Sequence, residues 1–136
     1  MRLMRSIPAL PVQDIQSAVE FYSQRLGFSC DVQLDDFARM VRDEVAVDLW
    51  PACDRSWRAR ADALGVAPVK SGAESFLAGT ASCRIEVQGL DALYAEYKQQ
   101  DVLYGPDTVI EETPWGTREF PALDLQRNLL TFYEVC

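Results

Sequence analysis

One pattern of residues, met twice, limits what this chain can fold into more than any other feature of its sequence. In the first half, Ile15, Ala18, Val19, Tyr22 and Leu26 fall at i, i+3, i+4, i+7 and i+11, with Asp14 placed to cap a helix and Gly27 to end it. Three short strand-like runs follow, Phe28 to Leu34, Phe37 to Arg42 and Val45 to Trp50, parted by Asp35-Asp36 and Asp43-Glu44 as tight turns. An apolar segment from about Leu3 to Val12 precedes the helix, so this half reads β-α-β-β-β.

The second half keeps the order. Setting Val12-Gln13 on Val87-Gln88 places Ile15 on Leu90, Ala18 on Leu93 and Tyr22 on Tyr97 without a gap. Ser82 to Val87 is a strand candidate, and Leu90, Leu93, Tyr94 and Tyr97 form a helical stripe with Asp91 in its first turn. Thr108 to Glu112, Arg118 to Leu123 and Leu129 to Glu134 complete the set. Two β-α-β-β-β modules in 136 residues predict a single α+β domain in which each sheet curls into half a barrel and carries its helix outside. The modules span about 3–50 and about 82–136, joined by a connector over 51–81. That connector is long for a loop. Asp54 is placed to cap a short helix carrying Trp57, Ala61 and Leu64 and stopped by Gly65, with Ala67 to Thr80 left irregular as a lid or a piece of subunit interface.

Composition then removes whole classes of function. There is no histidine, which excludes an imidazole base, a Ser-His or Cys-His pair and any histidine-ligated metal. Thirteen Lys and Arg against twenty-one Asp and Glu leave a formal charge of −8, which argues against nucleic acid and anionic membranes and favours a cationic partner. Cys30, Cys53, Cys83 and Cys136 form no C-x-x-C pair, so reduced thiols are expected. The run from Ile7 to Val12 is too short for a signal-peptide core and too rich in proline for a membrane span, so a soluble, cytoplasmic protein is expected. Gly72, Gly79 and Gly89 make no phosphate-cradling spacing, and no cofactor is expected.

Several segments resemble the vicinal-oxygen-chelate superfamily, and within it the bleomycin resistance proteins: Ile7 to Gly27, Asp35 to Val45, Val87 to Tyr97, the Pro-Trp-Gly-Thr-Arg-Glu-Phe run of Pro114 to Phe120, then Asp124 and Asn128-Leu129-Leu130. The resemblance implies an antibiotic resistance protein, a homodimer that binds drug reversibly in clefts between subunits and sequesters it without chemistry. It also implies exchange of the first strand between subunits about Pro8. The chain departs from the family twice. Asp124-Leu125-Gln126-Arg127-Asn128 replaces an Asp-Pro-x-Gly-Asn turn, which predicts a less rigid turn, and Arg84 and Glu86 stand where familiar members carry aromatics.

Enzymes of the superfamily hold a divalent metal at four positions that fall here on Ile7, Asp48, Ser82 and Thr131, of which only Asp48 is a good ligand, so no metal site is expected. Alternation along the strands turns Ile7, Ala9, Ala46, Asp48 and Trp50 inward in the first module, and Ser82, Arg84, Glu86, Leu129, Thr131 and Tyr133 in the second. The ligand site is therefore expected to use Trp115, Phe37 and Trp50 as apolar walls, Asp36, Asp48 and Glu86 for charge, and Arg84 and Tyr133 beside them, for a planar cationic molecule. Trp50 and Tyr133 also read as core fillers, Asp36-Phe37 as a turn and a core aromatic, and Arg84 and Glu86 as partners of each other or of Asp48. The alternatives to sequestration are a glyoxalase-like or isomerase-like metalloenzyme and a metabolite-binding relative that ignores bleomycin.

Overall fold

Residues 1–52 and 77–136 are described in the computed structural model of the chain. Asp14 is extended and accepts 2.8 and 2.5 Å bonds from the Ser17 amide and hydroxyl, so helix α1 (Ile15–Gln24) starts where an orphan donor finds a side-chain acceptor. Its Ile15, Ala18, Val19 and Tyr22 are buried along one face. Gly27 ends the turn at φ 77°, and a Cβ there would come within 2.6 Å of Arg42 Nη1, so backbone conformation and close approach both demand glycine.

Around α1 lie β1 (Ala9–Val12), β2 (Ser29–Leu34), β3 (Phe37–Arg42) and β4 (Val45–Pro51), in the sheet order β1-β4-β3-β2. The second module repeats this order with β5 (Ser82–Glu86), α2 (Leu90–Gln99), β6 (Glu111–Glu112), β7 (Thr117–Leu123) and β8 (Leu129–Val135), as β5-β8-β7-β6. β1 runs parallel to β4 and β5 parallel to β8, and the helix between them supplies the crossover that parallel pairing needs. The expected pair of β-α-β-β-β modules in an α+β fold is thus present, as two four-stranded sheets. Ala38, Met40, Val47 and Leu49 of the first sheet, and Phe120, Ala122, Leu130 and Phe132 of the second, turn to the helices and join one core.

Two strands are shorter than the sequence implies. The N-terminal segment becomes a strand only at Ala9, where β4 offers partners; before it, Leu3 and Met4 are exposed and Pro8 contributes a carbonyl to Asp48 but has no N–H. The run from Thr108 pairs with β7 only at Glu111 and Glu112, because Thr108 is spent closing a turn on Gly105 and accepting from Tyr94 Oη. The helix expected from Asp54 through Trp57, Ala61 and Leu64 to Gly65, and most of the loop after it, lies outside the described residues.

The modules are joined by polar as well as apolar contacts. Tyr97 Oη and Arg42 Nη1 donate to the Leu26 carbonyl at 2.7 and 2.8 Å, and Arg42 holds Glu96 at 2.7 and 3.0 Å. Tyr22 Oη donates to Asp124 Oδ2 at 2.9 Å. The fully buried Asn128 donates to the Pro11 carbonyl at 2.8 Å and to Asp124 Oδ2 at 3.0 Å, while its Oδ1 accepts from the Gly79 and Ala81 amides. Asp124 Oδ1 in turn accepts from the Gln126 and Asn128 amides. The turn expected to be less rigid is therefore built from side-chain acceptors in place of Pro and Gly. Arg127 carries its left-handed residue, at φ 70°. An L side chain is strained there, so Arg127→Gly is expected to raise stability by about 0.5–1 kcal/mol in urea unfolding. A loss of stability would show that the Arg127 side chain contributes more than its backbone costs.

Candidate functional site

The faces of the two sheets turned away from the helices carry the residues of interest. On the first, Phe37 and Trp50 pack at a ring-centroid distance of 4.6 Å, tilted by 54°. Arg39 donates from Nε and Nη2 to the two carboxylate oxygens of Asp48 at 2.7 and 3.1 Å, with its Cζ 5.8 Å from the Phe37 ring centroid. Arg39 and Asp48 are directly paired across β3 and β4, which the short Asp43-Glu44 turn keeps in register. That turn and the period-2 alternation were visible in the sequence, and together they place Arg39 beside Asp48; it is one of two residues of these faces, with Glu119, that the sequence reading leaves out.

On the second face, Arg84 Nη2 donates to Glu119 Oε2 at 2.7 Å and Nη1 reaches Oε1 at 3.5 Å, with Cζ 4.7 Å from the Tyr133 ring centroid. Thr117 Oγ1 also bonds Glu119 Oε2, at 3.1 Å. The Arg84 bond, opposed by burial and assisted by Thr117, holds the Glu119 carboxyl below its ordinary range. The expected partners of Arg84, Glu86 and Asp48, are thereby corrected. Glu86 shares its strand and face two residues on and bonds no cation among the described residues, whereas Glu119 comes across β8 to the guanidinium.

Trp50 and Tyr133 are half-buried on these faces and are not core fillers. Asp36 is exposed in the β2–β3 turn, before the half-buried Phe37. Trp115 is 67% exposed at the tip of the β6–β7 hairpin, which closes through Thr113 N–H to the Thr117 carbonyl at 2.8 Å. Gly116 is left-handed at φ 88° with open space where a Cβ would go, so conformation alone requires it.

The eight expected residues thus fall into groups. Phe37, Trp50 and Asp48 come together with Arg39; Arg84 and Tyr133 come together with Glu119, with Glu86 on the same face but outside that contact; Asp36 and Trp115 stand in turns. A groove of about 1180 Å³ between the Arg5-to-Pro8 segment, the start of β4, β5 and α2 is bordered by Arg84 and Glu86, but not by Phe37, Asp48 or Trp50. Cys83, also at this groove, has its thiol pushed up to about 11 by burial, with the Asp124 charge adding, which makes it a poor nucleophile.

The four superfamily metal positions do not fit a metal. Asp48 spends both oxygens on Arg39, and Ile7, Ser82 and Thr131 supply nothing better than a hydroxyl. Among the described residues no group of three or more His, Cys, Asp or Glu is placed to hold an ion, and no helix is long and apolar enough to cross a membrane.

The model of the Glyoxalase/Bleomycin resistance protein/Dioxygenase superfamily matches residues 6–132. Bleomycin resistance proteins of Geobacillus stearothermophilus and Staphylococcus aureus are 44% identical over 132 residues, covering 97% of this chain and 97% of theirs. Among solved structures, the bleomycin-binding protein of Streptomyces verticillus complexed with copper(II)-bleomycin superposes with a TM-score of 0.72 at 24% identity, over 97% of this chain and 96% of that one. A bleomycin resistance determinant encoded on transposon Tn5 gives 0.71 at 20%, over 98% of each chain. Lactoylglutathione lyase from Agrobacterium tumefaciens gives 0.68 at 15%, over 98% of this chain and 95% of that one, so the fold alone does not separate binder from enzyme.

Proposed function

The chain belongs to the glyoxalase/bleomycin resistance protein/dioxygenase superfamily, and from that premise we propose that it binds bleomycin-type or other planar cationic molecules and withholds them without chemistry. The observation that carries this reading is the 44% identity to bleomycin resistance proteins over nearly the whole of both chains. The donor set of the superfamily metal site supports it, since Lewis-acid chemistry needs ligands that Ile7, Ser82 and Thr131 do not supply. Phe37, Trp50 and Trp115 offer flat apolar surface to an aromatic ligand, and Asp36 and Glu86 offer charge to its cationic end.

In this reading the site is completed in a cytoplasmic homodimer. Among the described residues no element covers either open sheet face, and two copies can close them over a ligand. The N-terminal arm supports exchange about Pro8: before Ala9 its bond to β4 is the one the Pro8 carbonyl accepts from the Asp48 amide, and its Leu3 and Met4 are 96% and 73% exposed.

Calorimetric titration with metal-free bleomycin tests the reading. Binding below about 1 μM near one drug per chain is expected, and Trp115→Ala should weaken it about tenfold, about 1.4 kcal/mol, through lost stacking. Absence of heat and of tryptophan quenching would remove the assignment. Light scattering should return a two-chain particle, and a single chain at micromolar concentration would remove the shared site.

A further inference from the structure

The two arginine pairs on the open faces differ in which edge of the guanidinium they use. Arg39 spends its Nε and Nη2 on Asp48, so that fork is closed. Arg84 meets Glu119 through Nη1 and Nη2, and its Nε–H has no acceptor among the described residues. The Arg84 side chain is 47% exposed while Glu119 beneath it is 18% exposed, so an incoming molecule meets the guanidinium before the carboxylate. Tyr133 lies against the guanidinium and Thr117 Oγ1 bonds the same Glu119 Oε2 that Arg84 holds, so Arg84 is held in place before any ligand arrives.

We propose that Arg84 is an anchor for an anionic group, a carboxylate, sulfate or phosphate carried by a planar aromatic ligand, and that it sets the charge preference of the second open face. The inference rests on the reading that these faces take the ligand, and goes beyond it by assigning the Arg84 side of the second face to an anionic group, which binding of a purely cationic drug does not use. A cation drawn to Glu119 would have to displace Arg84 from both its carboxylate and the Tyr133 ring. An anion adds to the Nε–H and the outer Nη protons without breaking either contact, and planar oxyanions match that fork in geometry as well as charge. Glu86 and Glu111 lie on the same face and would draw a cation instead, so the two chemistries give opposite preferences.

The test compares naphthalene-2-sulfonate with 2-naphthylmethylammonium, two probes of like ring and opposite charge, by calorimetry at fixed ionic strength. The sulfonate is expected to bind about tenfold tighter, with the Arg84 Nε–H resonance moving on addition. Arg84→Gln should bring the two affinities within about twofold, Arg84→Lys should restore only part of the difference because a point charge lacks the fork, and the surface control Arg127→Gly should leave the ratio unchanged. Equal affinities, a preference for the ammonium, a preference that survives Arg84→Gln, or no binding of either probe would each overturn the proposal. Titration with metal-free bleomycin alongside separates the two readings. Drug binding without a sulfonate preference overturns this inference alone; a preference lost in Arg84→Gln, without drug binding, upholds it and removes sequestration of bleomycin.

Discussion

Replacing Asn128 with alanine is expected to lower the free energy of unfolding by about 3–5 kcal/mol, one of the two largest effects foreseen for this molecule. Asn128 is fully buried and uses all four of its hydrogen-bonding positions: two donated bonds, to Pro11 and Asp124, and two accepted ones, from Gly79 and Ala81. Alanine strands those groups where water does not easily reach, and each buried polar group left unsatisfied costs about 1–3 kcal/mol. The heaviest penalty falls on Asp124, whose carboxyl is already raised above its ordinary range by burial, against the lowering bonds from Asn128, Tyr22 and Gln126. Tyr22→Phe removes one bond from the same carboxylate and should cost about 1–2 kcal/mol. Urea unfolding at neutral pH measures both. A loss below 1 kcal/mol for Asn128→Ala would mean that water or a backbone shift replaces the amide.

The second large effect is alkaline. Tyr22 and Tyr97 are both fully buried. Burial pushes the Tyr97 phenol up to about 12 against the opposing Arg42, and pushes Tyr22 well above its ordinary value with the Asp124 charge adding to it. Both folded values therefore lie above the unfolded value near 10. Their contribution is complete below pH 10 and is lost as pH rises toward the folded values, because only the unfolded chain releases the protons. Tyr97 alone should cost about 2–3 kcal/mol by pH 12, at 1.36 kcal/mol per unit, and Tyr22 adds to the loss in the same direction. Unfolding titrations between pH 8 and 12 should steepen above 10, and Tyr22→Phe should make the slope shallower. Stability that stays level through pH 11.5 would contradict the burial of these hydroxyls.

How much of this was legible in the sequence depends on the range of each interaction. The helix stripe from Ile15 to Leu26 and its echo from Leu90 to Tyr97 were readable because helical burial repeats every three to four residues, within a few turns of chain. The face each strand residue takes was readable for the same reason, with period two, and Asp48, Trp50, Arg84 and Tyr133 lie on the faces expected of them. What the alternation does not carry is which side chains meet across strands far apart in sequence. Arg84 meets Glu119 because β7 and β5 flank β8, an order that comes from the folded sheet and not from any local pattern. The bonds that hold the Asp124 turn were hidden for a related reason. They come from Tyr22 and Asn128 side chains closing on one carboxylate, where Pro and Gly would have announced the turn locally.

The polar seam between the modules also bears on how such chains can be recombined. The repeat invites the idea that each half is interchangeable with the matching half of a relative. Yet, among the described residues, the Tyr22 hydroxyl and the Pro11 carbonyl of the first half find their side-chain partners in Asp124 and Asn128 of the second. A chimera that joins a first half bearing Tyr22 to a second half without that acid and amide inherits two orphaned groups at its interior. Crossovers between family members are therefore productive only when these residues travel as a set, which ties together the inheritance of two segments a hundred positions apart.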